Sequence, residues 1–224
     1  MNRLKEFFIQ ATAEYNTFEK PVPAYYFRKV YLSDGKRNVL VRIAVCGFYE
    51  LFLNGERITK GFLSPYISNP NDIVYFDAYE VTLNEGENVF GILLGNGFQN
   101  NPGGYIWDFD KADFRSAPKF AIEVKQGENL LFSSDETFKI KPSPIRSDDY
   151  RFGETYDANY ETEGWNLSGY DDSEWEYALQ AVPPKGELRL TDIDPIIKEC
   201  ELSHSLLKSG RDLKISHRAI EKII

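Results

Sequence analysis

The stretch Gly47–Gly55 constrains the fold of this 224-residue chain more than any other, because it joins a strand directly to a tight turn. It reads GFYELFLNG, so Tyr49, Leu51 and Leu53 fall on one face of an extended strand with a two-residue period. The Asn54-Gly55 pair adopts positive φ at little cost, which favours a hairpin turn at that point. The stretch therefore predicts a half-buried strand that reverses direction after Leu53.

Short runs with strand character recur along the chain, and clusters of Gly, Asn, Asp and Pro separate them. Strands are predicted over residues 25–32, 38–45, 48–53, 73–79, 88–94, 119–125 and 129–132. Many short strands without long helical periodicity are typical of an all-β fold. We therefore expect an antiparallel β-sandwich of jelly-roll or galactose-binding-like type, with short helical turns and a C-terminal extension.

The composition changes near the end of the chain. The stretch Pro183–Gly186, which reads PPKG, resembles a linker. Residues 196–224 carry six basic and four acidic side chains, although the whole chain has a net charge of −9. We therefore expect an N-terminal segment over 1–22, a β-sandwich domain over 23–183, and a linker over 184–224 that begins a following, absent domain. The apolar ending AIEKII is interpreted as part of that next element.

The overall charge and the cysteine usage exclude several classes of partner. A net charge of −9 disfavours nucleic acid, which requires a basic protein surface, and it also disfavours an anionic membrane. No apolar run approaches the roughly 18 residues that span a bilayer, and the N-terminus has no apolar segment of signal-peptide length. Cys46 and Cys200 are too few and too far apart for a disulfide framework. These features predict reduced thiols and a cytoplasmic protein.

Two acidic clusters are candidates for sugar chemistry, since glycosidases use two carboxylates that face each other across a cleft. One cluster, Asp108, Asp110 and Asp113, lies in a long loop, and the other consists of Glu154 and Asp157. Glu154 and Asp157 have an aromatic setting that could bury them. The plainer interpretation is that all of these carboxylates are solvated loop residues or turn formers.

The segment 96–118 is a long loop rich in Asn, Gly, Asp and aromatic residues, and such loops are often functional. Aromatic faces stack on sugar rings and polar side chains bind hydroxyl groups, so this loop and the second acidic cluster form a candidate carbohydrate site. The predicted binding residues are Asn96, Phe98, Asn100, Tyr105, Trp107, Asp108, Glu154 and Asp157. None of them is assigned a catalytic role.

Oxygen atoms suited to calcium also occur in this loop, because Ca²⁺ prefers carboxylates and amide carbonyls. The candidate ligands are Asn96, Asn100, Asn101, Asp108 and Asp110. The same residue types commonly shape turns. The spacing of Cys200, His204 and His217 is a poor match to a four-ligand zinc site. We predict no required cofactor, with calcium as the alternative.

Several blocks of the chain carry a resemblance, and they occur in a fixed order. They are Tyr26–Lys29, Gly47–Gly55, Leu63–Pro65, Tyr75–Thr82, Glu85–Phe98, Gly153–Ala158 and Gly164–Trp175. Together they resemble the amino-terminal β-sandwich domain of bacterial α-L-rhamnosidases, and Glu85–Phe98 is the most specific block. Asp192–Ile197 resembles the strand that leads to the next domain in that family. Phe98 stands where members of the family often have Trp.

The resemblance implies an accessory role. Whole α-L-rhamnosidases hydrolyse terminal rhamnose with inversion, and their acid and base lie in a barrel of paired helices that this chain lacks. The chain is therefore expected to be a non-catalytic domain that packs against the catalytic helical barrel of the same parent protein and helps to recognise rhamnose-containing glycans. The alternatives are an autonomous carbohydrate-binding module and a small glycosidase that uses Glu154 and Asp157. Sugar binding predicts exposed aromatic side chains in the 96–110 loop, whereas packing predicts an exposed apolar patch there or near the C-terminal tail.

Overall fold

Two sheets pack face to face in the computed structural model, which describes residues 3–104, 108–200, 206–209 and 212–215. Three short 3₁₀ turns lie in this part of the chain, at Arg3–Phe7, Phe109–Lys111 and Ala158–Tyr160. The strands, in chain order, are β1 (Ile9–Gln10), β2 (Tyr25–Ser33), β3 (Arg37–Cys46), β4 (Phe48–Leu53), β5 (Glu56–Arg57), β6 (Ile73–Leu83), β7 (Gly86–Gly95), β8 (Lys119–Gln126), β9 (Asn129–Ser133), β10 (Lys139–Pro142), β11 (Ile145–Asp149), β12 (Gly153–Tyr156), β13 (Glu176–Tyr177), β14 (Leu179–Gln180), β15 (Glu187–Leu190), β16 (Leu206–Ser209) and β17 (Asp212–Ile215).

The larger sheet has seven strands in the order β14-β1-β8-β3-β6-β15, and β9 also pairs with β8. The second sheet has six strands in the order β13-β10-β2-β7-β4-β5. Neighbouring strands are antiparallel, except that β15 runs parallel to β6. Two further pairs, β11 with β12 and β16 with β17, form separate two-stranded sheets. The predicted all-β antiparallel sandwich is therefore confirmed.

The strand and turn over Gly47–Gly55 fold as predicted. Tyr49, Leu51 and Leu53 of β4 are buried and alternate with half-buried residues. Asn54 and Gly55 have φ values of 52° and 86°, and β5 returns alongside β4. The positive φ angles explain why this pair of residues occupies the turn.

Apolar side chains from the facing sides of the two sheets form the main core. Phe27 of β2 meets Phe120 of β8 edge to face with ring centroids 4.9 Å apart, and Phe120 also contacts Phe138. Ile43 of β3 and Ile92 of β7 are fully buried in the same layer. Burying one such side chain stabilises the fold by about 1.5–3 kcal/mol, so this layer holds the two sheets together.

The N-terminal residues cover the outer face of the seven-stranded sheet. Leu4 and Phe8 are fully buried in a cluster with Ala44 and Ala121, and β1 lies between β8 and β14. At the other end of the chain, β15 pairs with β6. The larger sheet therefore includes β1, which lies before residue 23, and β15, which lies after residue 183. The predicted domain limits of 23 and 183 remain a prediction.

Residues 162–175, which we call the tryptophan cap, cover part of the outer face of the six-stranded sheet. Trp165 stacks on Tyr26 of β2 with ring centroids 4.2 Å apart and meets Phe52 of β4 edge to face. Gly91 of β7 lies directly beneath the Trp165 ring, because a Cβ at that position would lie 2.8 Å from it. The cap can pack this closely on β7 because residue 91 is a glycine and has no side chain.

Arg28 holds the tryptophan cap to the sheet from a position that is only 1% exposed. Its guanidinium donates to the carbonyl oxygens of Trp165 and Leu167, at 3.0 and 3.1 Å, and to the carboxylate of Asp172. A buried arginine needs such partners because an unpaired charge in the interior is costly. The Trp-containing block of the sequence is therefore a packing element.

Gly91→Ala is expected to destabilise the chain, because the new methyl group overlaps the Trp165 ring and overpacking costs about 1–3 kcal/mol. The measurement is the free energy of unfolding in urea. Gly35→Ala is the matched control, since no atom lies within 4 Å of a Cβ built there. Equal stability of the two variants would contradict the packing of the cap on β7.

Candidate functional site

The carboxylate of Asp148 in β11 organises the end of β7 and the start of the predicted binding loop. It accepts hydrogen bonds from the backbone N–H groups of Asn96 and Gly97, both at 3.0 Å, and from the Asn96 side chain at 2.9 Å. The Asn96 amide also donates to the carbonyl oxygen of Val22. Asn96 is completely buried, so its polar atoms fix the loop to the sandwich.

Asn100 is also completely buried and extends the same network. Its amide donates to the side-chain oxygen of Asn96 at 3.0 Å, and its own oxygen accepts from the backbone N–H of Asn16. The side-chain oxygen of Asn101 accepts from the backbone of Gly103. The side-chain oxygens of Asn96, Asn100 and Asn101 were candidate calcium ligands in the sequence. In the structure each of them accepts a hydrogen bond from another group of the protein.

Phe98 lies half-buried in an aromatic cluster. Its ring centroid is 4.5 Å from that of Tyr150, 5.5 Å from that of Phe48 and 5.6 Å from that of Phe109. Phe109 is half-buried as well. In the described part of the 96–110 loop, no aromatic side chain is exposed.

The remaining loop residues of the predicted site lie apart from this network. Asp108 is exposed and pairs with Lys111 at 3.3 Å, beside the 3₁₀ turn that follows it. Tyr105 and Trp107 fall outside the described residues. Across the described ranges, no group of three or more His, Cys, Asp and Glu side chains is arranged to hold a metal ion.

Glu154 and Asp157 occupy neighbouring but different settings. Glu154 is exposed in β12, opposite Asp148 in the β11–β12 pair. Asp157 caps the turn Ala158–Tyr160 and accepts from the backbone of Asn159 at 3.0 Å and from its side chain at 2.8 Å. The expectation that aromatic neighbours bury Glu154 is wrong, because β12 is exposed along its whole length.

An open groove of about 350 Å³, which we call the sheet groove, lies over the outer face of the six-stranded sheet. Phe48 and Glu50 of β4 and Leu93 of β7 contribute to its floor, and all three are half-buried. Glu50 forms an ion pair with Arg57 of β5, with 3.0 Å between the charged atoms. The floor therefore combines apolar surface with one carboxylate held in place.

The walls of the sheet groove come from two different parts of the chain. Asp148 and Glu154, from the β11–β12 pair, line it together with Phe62 and Leu63 from the segment after β5. Of the predicted binding residues, Glu154 lines the groove directly, and Asn96 reaches it through its hydrogen bonds to Asp148. The structure thus brings part of the predicted site together around Asp148.

A second cavity of about 360 Å³ lies between the segment after β5 and the segment after β15. Large apolar side chains that are exposed line this cavity, and we call them the exit surface. They are Phe62, Leu63, Tyr66, Leu190, Ile193 and Ile196. The backbone N–H of Phe62 donates to the carbonyl oxygen of Ile196 at 2.9 Å, which ties the two segments together.

A polar cluster is formed by Tyr49, which lines the sheet groove, and by Asp77 and Tyr79, which line the second cavity. The Tyr49 hydroxyl donates to the Asp77 carboxylate, and the Tyr49 and Tyr79 hydroxyl oxygens are 2.9 Å apart. Burial, together with the nearby Asp77 charge, raises the pKa of Tyr49 well above its usual value. The same causes raise the pKa of Tyr79 to about 12.

The comparison with known sequences decides the family. Residues 36–199 match the family described as alpha-L-rhamnosidase N-terminal domain. The chain belongs to this rhamnosidase N-terminal domain family. An alpha-L-rhamnosidase of Formosa agariphila is 35% identical over 206 residues, which cover 84% of this chain and 21% of that protein. A second, from an Alteromonas species, is 29% identical and covers 63% of this chain and 16% of that protein. The chain therefore spans about a fifth or less of the length of these relatives.

Solved structures of rhamnosidases share the fold of this N-terminal domain. The α-L-rhamnosidase of "Dictyoglumus thermophilum" matches with a TM-score of 0.70 and 30% identity, over 84% of this chain and 22% of that chain. The enzyme of Aspergillus terreus matches with a TM-score of 0.80 and 22% identity, over 93% of this chain and 25% of that chain. In the described part of this rhamnosidase domain, no helix is long and apolar enough to cross a membrane.

Asp148 is the residue that sequence reasoning missed. Its partners, Asn96 and Gly97, lie 52 and 51 residues away along the chain, so the spacing of residues in the sequence does not indicate the contact. One signal is present, because backbone N–H groups at the end of a buried strand need an acceptor. Residues 143–157 contain several carboxylates, and only the packed structure shows which of them accepts these hydrogen bonds.

Asp148→Asn is expected to lower the free energy of unfolding by about 1–3 kcal/mol, because an amide group then faces N–H donors of Asn96 or Gly97 and leaves them unpaired. Urea unfolding measures the change. The exposed Asp192→Asn is the control, and its effect is expected to stay within about 0.5 kcal/mol. The role assigned to Asp148 is wrong if both variants are as stable as the parent chain.

The stability of this rhamnosidase domain is expected to fall as the pH rises from about 10 to about 12. The pKa of Tyr79 is about 12 in the folded chain against a usual value of 10.0. A group whose pKa is raised on folding stabilises the fold fully below its unfolded pKa, and this contribution disappears as the pH rises through the folded pKa. Urea midpoints across this range measure the loss, which Tyr79→Phe should reduce and the exposed Tyr177→Phe should leave unchanged.

Proposed function

We propose that this chain is the non-catalytic N-terminal module of a glycoside hydrolase related to the α-L-rhamnosidases. In this proposal it packs against a catalytic helical-barrel domain of the same polypeptide and contributes to the recognition of rhamnose-containing glycans. A cytoplasmic location is part of the proposal. The free thiols of Cys46 and Cys200 agree with a reducing compartment.

The exit surface is the observation that carries the packing role. Phe62, Tyr66 and Ile196 are 49%, 53% and 60% exposed, and they surround one cavity. Contiguous exposed apolar patches on soluble domains usually mark interaction sites. This arrangement also matches the outcome expected for packing, which is an apolar patch near the C-terminal tail, whereas the described loop residues offer no exposed aromatic platform.

The path of the chain supports the following domain as the partner at this surface. After β15, which pairs with β6 at the edge of the larger sheet, the chain reaches Ile196, whose carbonyl accepts from Phe62. The polypeptide therefore passes through the exit surface after it leaves β15. A domain that follows directly in the chain has its first residues beside the apolar side chains that need a partner.

The lengths of the relatives support the same partner. The chain covers 21% of the Formosa enzyme and 22% of the "Dictyoglumus thermophilum" structure. Most of each relative therefore consists of other parts, and the catalytic groups are expected there. The two carboxylates of the self-contained glycosidase alternative do not flank an enclosed cleft, since Glu154 is exposed and Asp157 caps a turn.

Ile196→Ser is the direct test of the packing role. In the chain of 224 residues, where Ile196 is 60% exposed, the substitution is expected to change the free energy of unfolding by less than about 0.5 kcal/mol. In a longer polypeptide that continues beyond residue 224, Ile196 is expected to be buried against the next domain. There the substitution is expected to lower the free energy of unfolding by about 1.5–3 kcal/mol. Thermal and urea unfolding of both lengths measure the difference.

The control is Val182→Ser, which replaces an 80% exposed side chain outside the exit surface and is expected to have a small effect at both lengths. An equal effect of Ile196→Ser at both lengths would contradict packing at the exit surface. A reading frame that ends at residue 224 would contradict the existence of the partner domain.

A further inference from the structure

The second cavity contains polar groups as well as the apolar side chains of the exit surface. Asp77, Tyr79 and Thr191 line it, and Tyr79 is only 7% exposed. An entirely apolar partner would cover these groups without forming hydrogen bonds to them, and burying an unpaired polar or charged group is costly. The partner that packs on the exit surface therefore needs at least one polar side chain for this cavity.

The hydrogen bonds of these side chains have a defined direction. The Tyr49 hydroxyl donates its one hydrogen to Asp77, so Tyr79 donates its own hydrogen to the Tyr49 oxygen, 2.9 Å away. The Thr191 hydroxyl donates to the carbonyl oxygen of Phe76 at 3.2 Å. Asp77, Tyr79 and Thr191 therefore offer only acceptor oxygens to a group that enters the cavity.

The charges around the cavity favour a cation. Asp77 and Asp194 line it, and Lys60 is the basic residue among those that line it. Within the part of the chain that the structure describes, none of these three residues forms an ion pair. Lys60 and Asp194 are exposed to water, whereas Asp77 is half-buried. A cation in the cavity therefore meets a carboxylate, Asp77, whose charge has no partner.

A guanidinium group satisfies these conditions. It has five N–H donors and no acceptor, it stays charged, and it stacks on aromatic rings. The chain already contains such a stack, because the guanidinium carbon of Arg57 lies 4.9 Å from the centroid of the Phe62 ring. Arg57 is paired with Glu50 and is not among the residues that line the second cavity. The apolar walls, which include Tyr66 and Ile196, suit the methylene stem of an arginine.

The charge of the continuing polypeptide is complementary to the cavity. Residues 196–224 carry six basic and four acidic side chains, a net charge of +2, whereas the whole chain has a net charge of −9. Opposite charges on the two sides of an interface favour the correct partner and its correct orientation. The cavity volume of about 360 Å³ lies within the range of roughly 300–1,000 Å³ that small ligands occupy, so one long side chain has room in it.

We propose that the second cavity binds one arginine side chain of the following domain. Its guanidinium pairs with Asp77 and donates to the hydroxyl oxygens of Tyr79 and Thr191, and its stem packs between the apolar side chains of the exit surface. The assignment of this arginine to the following domain rests on the proposed function. The preference for a cation with several N–H donors rests on the cavity alone.

The first test is a titration of the ¹⁵N-labelled 224-residue chain with N-trifluoroacetyl-L-arginine amide. We expect saturable backbone amide shifts at Asp77, Tyr79 and Thr191, in the millimolar range. The matched neutral probe is the corresponding citrulline amide, in which an oxygen replaces one nitrogen of the guanidinium. It is expected to bind about tenfold more weakly, since hydrogen bonds to charged groups are stronger than neutral ones.

Asp77→Asn tests the carboxylate directly. The amide keeps an acceptor for the Tyr49 hydroxyl but removes the charge, so the arginine probe is expected to bind about tenfold more weakly. Asp192→Asn, an exposed carboxylate that is not among the lining residues, is the matched control and is expected to bind as the parent chain does. Urea unfolding shows whether each variant keeps the fold. Asp194→Asn, at an exposed position, gives a second measure and is expected to weaken binding about twofold.

The ¹⁹F signal of the arginine probe tests the source of the natural arginine. In a longer polypeptide that continues beyond residue 224, the following domain is expected to fill the cavity with its own side chain. Asp77→Asn is then expected to have no effect on the ¹⁹F line width, although it narrows the line with the 224-residue chain. An equal narrowing at both lengths would show an empty cavity and overturn the assignment to the following domain.

The outcomes are distinct from those of the packing test. Equal affinity for the arginine and citrulline probes, shifts confined to other parts of the chain, or equal binding by Asp77→Asn and Asp192→Asn would each overturn the arginine proposal. Ile196→Ser measures apolar burial and involves no probe. Arginine binding can therefore fail while the packing function stands, and an equal effect of Ile196→Ser at both lengths contradicts packing even where the probe binds.

Discussion

The apolar layer between the two sheets holds every other part of this molecule in place. Phe27, Ile92, Ile43 and Phe120 come from strands that are far apart in the chain, and each is fully buried. No single hairpin of this domain buries enough apolar surface to be stable alone. Once the layer forms, the two outer faces and the loops at the ends of the strands acquire fixed positions, and the sites described above are built on them.

The two outer faces are then used differently. Leu4 and Phe8 of the N-terminal segment cover the outer face of the seven-stranded sheet, and they bury Ala44 and Ala121 there. The tryptophan cap covers part of the six-stranded sheet, where Trp165 packs over Gly91 and against Tyr26, and Arg28 holds it there. The area that stays uncovered is the sheet groove. The glycine at position 91 thus decides where Trp165 can pack on the sheet.

The exit surface is a group of exposed apolar side chains around one cavity. Its apolar side chains contribute little to the sandwich itself, because they are exposed, yet they line one cavity at the point where the chain leaves the larger sheet. The proposed packing against a following domain accounts for such a surface, since apolar patches of this kind usually mark interaction sites. The sheet groove shares Phe62 and Leu63 with this surface, so the two cavities adjoin each other.

The predicted strands and the Asn54-Gly55 turn were correct because alternation and turn chemistry depend on residues close together in the chain. The predicted site was harder to locate. Asn96 and Asn100 belong to the candidate set by composition, but both are completely buried and fix the loop. Glu154 is exposed although its aromatic neighbours predict burial, because the small β11–β12 pair stands apart from the core.

The sequence by itself determined the strands, the turns, the family and the apolar character of the residues that form the exit surface. Only the tertiary structure decided that Asp148 receives the donors of Asn96 and Gly97, that Arg28 reaches Trp165, and that Phe62 meets Ile196. These contacts join residues 51 to 137 positions apart. The physical reason is that local preferences set the direction of each strand, whereas burial of the whole core chooses which distant polar groups end up side by side.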